Sequence, residues 1–302
     1  MTPNIQKICT FSGHRDGIFS IAASGNADIF YAASGDGMVV KWNIQNPDNG
    51  ILIATVSHSV YAIHALFDSN ILVVGENFEG IHLINTDEHN EIGSFRISSG
   101  YIFDIVSYGK LLFVACANGT VYIIDANTLS IIKKLEYSTQ SARCIAINPL
   151  YGHIAVGYSD YKIRIFSLSD YSLIYEYTAH NNSVFALYYT HDGSCLLSGS
   201  RDAHLKFWDC NSNYMLDEQI VAHMFAINNI HFHHMGNFFA TASMDKTIKI
   251  WDYTKRKLLK VIDKSRHGGH TTSVNKVLWM QDKYQLLSCS DDKLIHMWEV
   301  NI

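Results

Sequence analysis

Short apolar runs separated by turn-forming residues follow one another along the whole chain. Segments 38–42 and 247–251 are rich in β-branched and aromatic residues, and Gly, Asn, Asp and Ser bound them. Residues 240–247 fit the end of one strand, a tight turn and the start of the next strand. We find no long stretch with the 3.6-residue periodicity of an amphipathic helix. The pattern predicts an all-β protein built from short strands and tight turns.

One unit recurs seven times along the chain. An aromatic or apolar residue closes one short strand of every unit, and successive copies lie 40 to 47 residues apart. Asp stands six residues before this position in five units, and Asn does so in a sixth. The closing residues are Trp42, Ile84, Ile124, Phe166, Trp208, Trp251 and Trp298, preceded by Asp36, Phe78, Asn118, Asp160, Asp202, Asp245 and Asp292.

The length of the unit predicts the architecture. A unit of about 42 residues has room for four strands of about 5–6 residues and their turns. A single four-stranded sheet cannot bury both faces, whereas copies arranged around an axis cover one another and leave only short edges. Seven copies use nearly the whole chain. The repeats therefore predict one domain over residues 1–302, a closed ring of seven four-stranded antiparallel blades.

The repeat resembles that of the WD-repeat family of β-propellers over residues 5 to 300. The resemblance implies a seven-bladed propeller. It also implies that residues 5–11 complete the last blade, because the sequence stops just after the third strand of the last repeat. The matching residues are Gly13, His14, Asp36 and Trp42; Ala179, His180, Asp202, Trp208 and Asp209; Ala222, His223, Asp245, Trp251 and Asp252; and Gly269, His270, Asp292 and Trp298.

The same resemblance implies a structural hydrogen-bond network in four repeats, formed by a His, a hydroxyl, the turn Asp and the Trp. The hydroxyl is expected two residues before the Asp. The middle repeats carry Glu76, Cys116 and Tyr158 at that position, so we expect mainly apolar packing to hold these blades. Either the difference is neutral sequence drift, or these blades are softer or specialised. The predicted network residues are His14, Ser34, Asp36, Trp42, His180, Ser200, Asp202, Trp208, His223, Ser243, Asp245, Trp251, His270, Ser290, Asp292 and Trp298.

Composition excludes several classes of protein. Apolar residues make up 48% and charged residues 17%, which favours a large core over disorder. The formal charge of -5 argues against nucleic-acid binding, which depends on excess Lys and Arg. No apolar run approaches the 18–20 residues that span a bilayer, and residues 1–4 lack the start of a secretion signal. Six scattered cysteines without a C-x-x-C pair indicate reduced thiols and a cytoplasmic location.

One position near the start of each repeat's innermost strand predicts a binding surface. In the family this position points to the top face around the channel mouth, and here it recurs in phase with the ring. Aromatic residues and Arg often anchor protein interfaces. Two interpretations stay open, because these side chains either face a partner or pack between blades. The seven residues are Phe19, Tyr61, Phe103, Arg143, Phe185, Asn228 and Asn275, and Tyr101 and Arg201 are expected to join the first five at the site.

Other candidate chemistry is weaker. Four equivalent Ser/His/Asp sets behind Trp residues fit structure better than catalysis, because a catalytic nucleophile is exposed and occurs once. His231 and His233 have a spacing that a metal could use, but a solvated turn is favoured. The six basic residues between Lys255 and Arg266 predict a solvated edge, with an anionic contact as the alternative. We expect no catalytic residue, metal or cofactor.

The sequence therefore predicts a non-enzymatic interaction scaffold that is monomeric by itself. Its partner would be a protein or peptide on the top face, and an acidic or phosphorylated end would suit the Arg residues. No membrane contact is expected. The alternatives are a propeller enzyme, a small-molecule hydrolase or lyase with a site at the channel mouth, and a structural subunit of a larger assembly.

Overall fold

The computed structural model describes residues 4–66, 69–97, 100–234, 236–280 and 283–301. It confirms the predicted fold class, an all-β seven-bladed propeller of four-stranded antiparallel sheets. The strands are β1 (Asn4–Ser12), β2 (Ile18–Ala23), β3 (Ile29–Ser34), β4 (Met38–Asn43), β5 (Asn46–Thr55), β6 (Val60–Leu66), β7 (Ile71–Glu76), β8 (Gly80–Asn85), β9 (Asn90–Arg96), β10 (Ile102–Tyr108), β11 (Leu111–Cys116), β12 (Thr120–Asp125), β13 (Ser130–Glu136), β14 (Ala142–Asn148), β15 (His153–Tyr158), β16 (Lys162–Ser167), β17 (Leu173–Thr178), β18 (Val184–Tyr189), β19 (Cys195–Ser200), β20 (His204–Asp209), β21 (Met215–Val221), β22 (Ile227–Phe232), β23 (Phe238–Ser243), β24 (Ile248–Asp252), β25 (Lys257–Ile262), β26 (Val274–Trp279), β27 (Gln285–Ser290) and β28 (Leu294–Asn301).

Blades 1 to 6 each use four consecutive strands, from β2–β5 to β22–β25. Blade 7 has the order β1-β28-β27-β26, so its outermost strand comes from the start of the chain. Asn4 pairs with Asn301 and Ser12 with Leu294 in this antiparallel ladder. The prediction that residues 5–11 complete the last blade is confirmed.

The chain divides into two compact units. The first comprises Met1–Glu76, His82–Gly93 and Asn228–Ile302, and contains blades 1 and 7 with most of blades 2 and 6. The second comprises Asn77–Ile81 and Ser94–Ile227, and contains blades 3, 4 and 5. The expectation of a single domain stays a prediction.

Apolar side chains from consecutive blades form the cores within each unit. In the first unit, Val39 of blade 1 packs with Val60 and Val74 of blade 2. In the second, Ile123 of blade 3 packs with Val156 of blade 4. Within each unit, the faces of neighbouring blades therefore cover one another.

Helices are minor features of the described residues. A 3₁₀ turn spans Cys210–Ser212, and α1 spans Lys264–His267. None of the helices in the described part of the chain has the length and apolar character needed to cross a membrane.

Candidate partner-binding site

The residues predicted to bind a partner stand at β-bulges on the first strand of their blades. The pairing register shifts around Phe19, Tyr61, Phe103, Arg143 and Phe185. A bulge inserts one residue into a strand and re-aims its side chain. The repeated bulge therefore explains why one phase of the sequence repeat marks one position on the first strand of each of these blades.

In the second unit, three of these residues form a stack. The Arg143 guanidinium carbon lies 3.7 Å from the centroid of the Phe103 ring and 4.6 Å from that of Phe185. Strands β10, β14 and β18, from blades 3, 4 and 5, supply the three side chains. Cation–π contacts hold a planar guanidinium by its faces and leave its N–H groups to act in the plane. We call Phe103, Arg143 and Phe185 the arginine stack.

Two further aromatic residues extend the arginine stack. The Tyr101 ring stacks on Phe103 at a centroid distance of 5.9 Å, and Phe78 lies 5.0 Å from Tyr101. Tyr101 is 39% exposed and Phe78 is 48% exposed. The sequence analysis missed Phe78 as a site residue. The signal was present, because Phe78 is the one aromatic residue at a turn position where five repeats have Asp.

Three more exposed residues of the second unit lie in or directly after blade 5. Arg201 is exposed after β19, and its backbone N–H donates to the Ser183 carbonyl at 3.0 Å. Met224 and Phe225 lie between β21 and β22 and are 81% and 56% exposed. Sequence reasoning also missed this pair, which stands directly after the phased His223 where two other repeats have Asn-Asn and Thr-Thr.

In the first unit, the equivalent positions join neighbouring blades. The Phe19 and Tyr61 rings meet edge to face at 4.6 Å. Asn228 Nδ2 donates to the Val274 carbonyl at 2.8 Å, and Asn275 Nδ2 donates to the Ile18 carbonyl at 2.9 Å. In the first unit, these contacts agree with the interpretation that the side chains pack between blades.

Polar side chains next to the bulges fix the spacing of first strands. Asp104 accepts from the Ile145 N–H at 2.8 Å, which ties β10 to β14 beneath the arginine stack. In the first unit Ser20 accepts from the Ile63 N–H at 3.3 Å. Strands β14 and β6 are each the first in the order of their sheet, so each bond satisfies a backbone donor on a sheet edge. The supporting strands are therefore held in place before any partner binds.

The structural hydrogen-bond network is clearest in blade 5. Trp208 Nε1 donates to Ser198 Oγ at 2.8 Å, and Ser198 Oγ lies 2.7 Å from His180 Nε2. His180 Nδ1 lies 3.1 Å from Asp202 Oδ2. Indole only donates and carboxylate only accepts, so Ser198 donates to Nε2 and Nδ1–H donates to Asp202. Blade 7 repeats this arrangement with His270, Asp292, Trp298 and Ser288.

The predicted hydroxyl was wrong by two residues. Ser198 and Ser288, four residues before the Asp, take the place expected for Ser200 and Ser290, and in blade 6 Trp251 donates to Thr241 at 2.9 Å rather than to Ser243. Trp208 pairs directly opposite Leu196, so its indole reaches the diagonal neighbour Ser198. The serines two before the Asp, Ser34, Ser200, Ser243 and Ser290, instead accept the Asp backbone N–H in the turn.

Burial and hydrogen bonding set the charges in this network. Burial lowers the pKa of His180, against the pull of Asp202. Burial opposes ionisation of Asp292, but His270 and two backbone N–H groups outweigh it and lower the pKa of Asp292 to about 2. Ser198 and Ser288 are fully buried, so both hydroxyls are shielded from solvent. The structural role of these sets stays a prediction.

Blade 1 has the same His, Asp and Trp without the hydroxyl. Ala32 stands where Ser288 stands in blade 7, and Trp42 pairs opposite Phe30 as Trp298 pairs opposite Leu286. His14 Nδ1 still lies 3.3 Å from Asp36 Oδ2. Among the described residues, neither His14 Nε2 nor Trp42 Nε1 has a hydrogen-bond partner, although both atoms are buried.

Blade 2, which we expected to be held mainly by apolar packing, also contains a buried carboxylate with two His neighbours. Glu76 is buried and accepts from the His58 backbone N–H at 2.9 Å. Its carboxylate also lies 3.0 Å from His58 Nδ1 and 2.9 Å from His82 Nε2. Glu76 therefore contacts the phased His as the turn Asp does in other blades. In blade 2, Phe78 stands at the position of that Asp.

Blade 4 uses an arginine. The buried Arg164 side chain lies 2.8 Å from Asp160 and 2.6 Å from Glu176, with its guanidinium over the Tyr158 ring. Ser138 Oγ donates to Asp160 at 2.8 Å, in the place of the phased His. An ionic network takes the place of the His–hydroxyl–Trp set. Blade 3 keeps Cys116 buried and forms its turn through Asn118, which accepts from the Thr120 N–H.

The candidate metal residues have structural partners. His233 is buried, with its ring 5.0 Å from Trp279 and 4.5 Å from Phe238, so the favoured interpretation as a solvated turn was wrong for this residue. His231 Nδ1 lies 3.1 Å from the Phe232 carbonyl. His270, Asp292 and His296 also converge, but both His270 ring nitrogens already bond to Asp292 and Ser288.

The repeats match a family model. The model for the WD domain, G-beta repeat, covers residues 5–43, 171–209, 217–252 and 260–299, about half of the chain. This chain belongs to the WD-repeat family. The matched WD repeats include those with the complete network, in blades 5 and 7, whereas blades 2 to 4 with their substituted networks fall largely outside the match.

Relatives of this WD-repeat chain are longer proteins. It is 21% identical over 215 residues to "Minichromosome loss protein 1" of Schizosaccharomyces pombe, covering 68% of this chain and 26% of that protein. It is 23% identical over 222 residues to "Periodic tryptophan protein 2 homolog" of Mus musculus, covering 67% of this chain and 24% of that protein. The chain thus spans about a quarter of the length of these relatives.

Proposed function

We propose that this WD-repeat chain is a non-enzymatic scaffold that binds a protein or peptide partner. The proposed site lies in the second unit and comprises the arginine stack with Tyr101 and Arg201. Phe19 and Tyr61 of the first unit, also predicted to bind a partner, stay a separate prediction. Membership of the WD-repeat family supports an interaction role. The observation that carries the proposal is the arginine stack, whose three side chains come from three blades and none of which is fully buried.

The stack favours a particular partner chemistry. Two rings cover the faces of Arg143, so an anionic group approaches its N–H groups in the guanidinium plane. Tyr101 and Phe78 beside it offer exposed aromatic surface for an apolar side chain. A peptide with apolar anchors and an acidic or phosphorylated end therefore fits this site best. Preordering of Arg143 by the rings lowers the entropy lost on binding.

Affinity capture from lysate tests the site. Phe103→Ala with Phe185→Ala should abolish capture of the proteins that wild type captures. Its melting temperature should stay within a few degrees of the wild-type value. The matched control is Ile131→Ala with Ile132→Ala, which removes two exposed apolar side chains from the outer strand β13 of the same unit. Unchanged capture by the Phe103/Phe185 variant contradicts the proposal.

The anionic end of the partner needs its own test. Arg143→Lys keeps the positive charge and loses the planar fork of donors. We expect this variant to capture the partner more weakly than wild type does. If the anion is a phosphate, we also expect wild type to capture less partner from phosphatase-treated lysate than from untreated lysate. Equal capture by wild type and Arg143→Lys contradicts an anion held in the guanidinium plane.

We also infer a cytoplasmic, monomeric protein in which residues 1–302 form one domain. No disulfide joins any of the six cysteines, all of which lie in the described residues, as is usual in a reducing compartment. The pairing of β1 with β28 joins distant parts of the sequence in one sheet. A single calorimetric transition and a monomeric mass of 34.1 kDa by light scattering are expected. Two transitions contradict the single domain.

A further inference from the structure

Positive charge is concentrated on the outer strand of blade 6. Residues 255–266 hold six of the 23 basic residues of the chain and one of its 28 acidic residues. Strand β25 is the last in the order β22-β23-β24-β25, so its outer edge has no partner strand within that sheet. Helix α1 follows directly and continues the same basic stretch.

Some of these cations are already neutralised. Lys255 Nζ lies 3.1 Å from Asp252, and Arg266 makes two contacts with Asp263, the N-cap of α1. Lys257, Lys260 and Lys264 form no ion pair with any described residue. The charge that remains on this strand and helix is therefore available to an outside anion.

One contact adds a further cation to this stretch. Lys7 of β1 donates to the Gly268 carbonyl at 2.7 Å, which places a further ammonium group at the end of α1. Lys260 stands on β25, four residues before Lys264, the first residue of α1. We call Lys7, Lys257, Lys260 and Lys264 the basic edge.

An exposed apolar residue lies within the basic edge. Leu258, next to Lys257, is 43% exposed and pairs opposite Trp251. The register shifts between Ile250 and Trp251, so β25 bulges at this point. A bulge together with edge lysines opposes the addition of another strand. Any ligand of this edge is therefore held by side chains rather than by a backbone ladder.

We propose that the basic edge binds a short acidic segment of a partner protein, with an apolar residue of that segment on Leu258. Six residues of strand span about 20 Å, which matches a segment of about six residues. Nucleic acid is disfavoured because a longer polyanion would extend onto a protein of net charge -5. This surface uses outer strands and is independent of the arginine stack.

Fluorescence anisotropy tests the basic edge directly. The probe is a labelled eight-residue peptide of five Glu, two Leu and one Gly, and the protein is the full chain at 50 mM and 300 mM NaCl. We expect binding at low salt that weakens at least about fivefold at high salt, because surface charges are screened. Lys257→Glu with Lys260→Glu should weaken binding about tenfold or more.

A charge-matched control separates the site from net charge. Lys133→Glu with Lys134→Glu makes the same change on β13, the outer strand of blade 3, and should bind the peptide within about twofold of wild type. Lys257→Gln with Lys260→Gln gives the milder change and guards against misfolding. Equal loss in both Glu variants overturns the proposal. Tighter binding of a twelve-nucleotide oligothymidylate than of the peptide also overturns it.

Discussion

Blades 1 and 7 share one scaffold and differ at one buried atom. Both place a His on a turn Asp and a Trp opposite an apolar residue of the second strand. Blade 7 has Ser288 to accept from Trp298, whereas blade 1 has Ala32 and leaves Trp42 Nε1 and His14 Nε2 without partners among the described residues. The difference shows that the hydroxyl is not needed to set the backbone. It contributes stability by satisfying two buried polar groups.

The largest expected effect comes from removing β1, the outermost strand of blade 7, which also contacts blade 1. Deletion of residues 1–11 takes β1 from blade 7 and removes Phe11, whose ring lies 5.4 Å from Trp42 of blade 1. Loss of the buried Ile5 and Phe11 alone costs about 3–6 kcal/mol. Differential scanning calorimetry should show a melting temperature lowered by about 5–10 °C. Ile8→Ser, which changes an exposed residue on the same strand, is the control. A melting temperature of the deletion variant equal to that of wild type would contradict a stabilising role for the pairing of β1 with β28.

Ser288→Ala should convert blade 7 into the state of blade 1. The variant leaves Trp298 Nε1 and His270 Nε2 buried without their hydrogen-bond partner, which lowers the free energy of unfolding by about 1–3 kcal/mol. Urea unfolding followed by Trp fluorescence measures the change. Ser290→Ala, two residues later in the turn, is the matched control and should cost less because its partners are near the surface. A smaller loss for Ser288→Ala than for Ser290→Ala would show that the assigned hydroxyl is the wrong one.

Lowering the pH should reduce the free energy of unfolding as the Asp292 carboxylate of the blade 7 network becomes protonated. Because the pKa of Asp292 is lowered to about 2 from its usual 3.8, its contribution is full above pH 4 and is lost as the pH falls toward 2. Between pH 7 and pH 3 this amounts to about 1 kcal/mol. Asp292→Asn should remove that part of the pH dependence in urea titrations. Exposed Asp48→Asn is the control, and parallel wild-type and Asp292→Asn profiles contradict the assignment.

Ala32→Ser should give blade 1 the hydroxyl it lacks. Serine at this position can accept from Trp42 and donate to His14, and we expect a gain of about 0.5–1 kcal/mol. The melting temperature should rise by about 1–2 °C, measured against Ala33→Ser, which adds a buried hydroxyl at the adjacent position and should destabilise. A fall for Ala32→Ser would mean that the space beside Trp42 does not admit the oxygen.

The repeat phase predicted the blades because each Trp or its equivalent closes the same strand at a nearly constant spacing. The same phase located the bulge residues, including Phe103, Arg143 and Phe185. It could not assign the hydroxyl, because Trp208 reaches Ser198 diagonally across two strands, a contact that depends on pairing register. Nor could spacing show that Arg143 lies between two rings, since that contact joins residues about 40 apart in three blades.

The substituted networks were hidden for a related reason. Glu76 stands where other repeats have Ser, Cys or Tyr, so phase marks it as an exception, whereas Arg164 stands where blades 5 and 6 have Lys206 and Lys249, so phase does not mark it. Their partners, His82 and Glu176, come from neighbouring strands of the same blade. A pattern of repeats predicts what the blades share, whereas compensating pairs within one blade become visible only with the side chains in place.

The pairing of Asn4 with Asn301 has a consequence for biosynthesis. Strand β1 is synthesised about 280 residues before its partner β28. At about 5–20 residues per second, β1 waits roughly 15–60 s for that partner. During this time the nascent chain carries a strand with two unpaired edges. Ribosome-associated chaperones that shield such a strand would influence the yield of folded protein more than they influence its final stability.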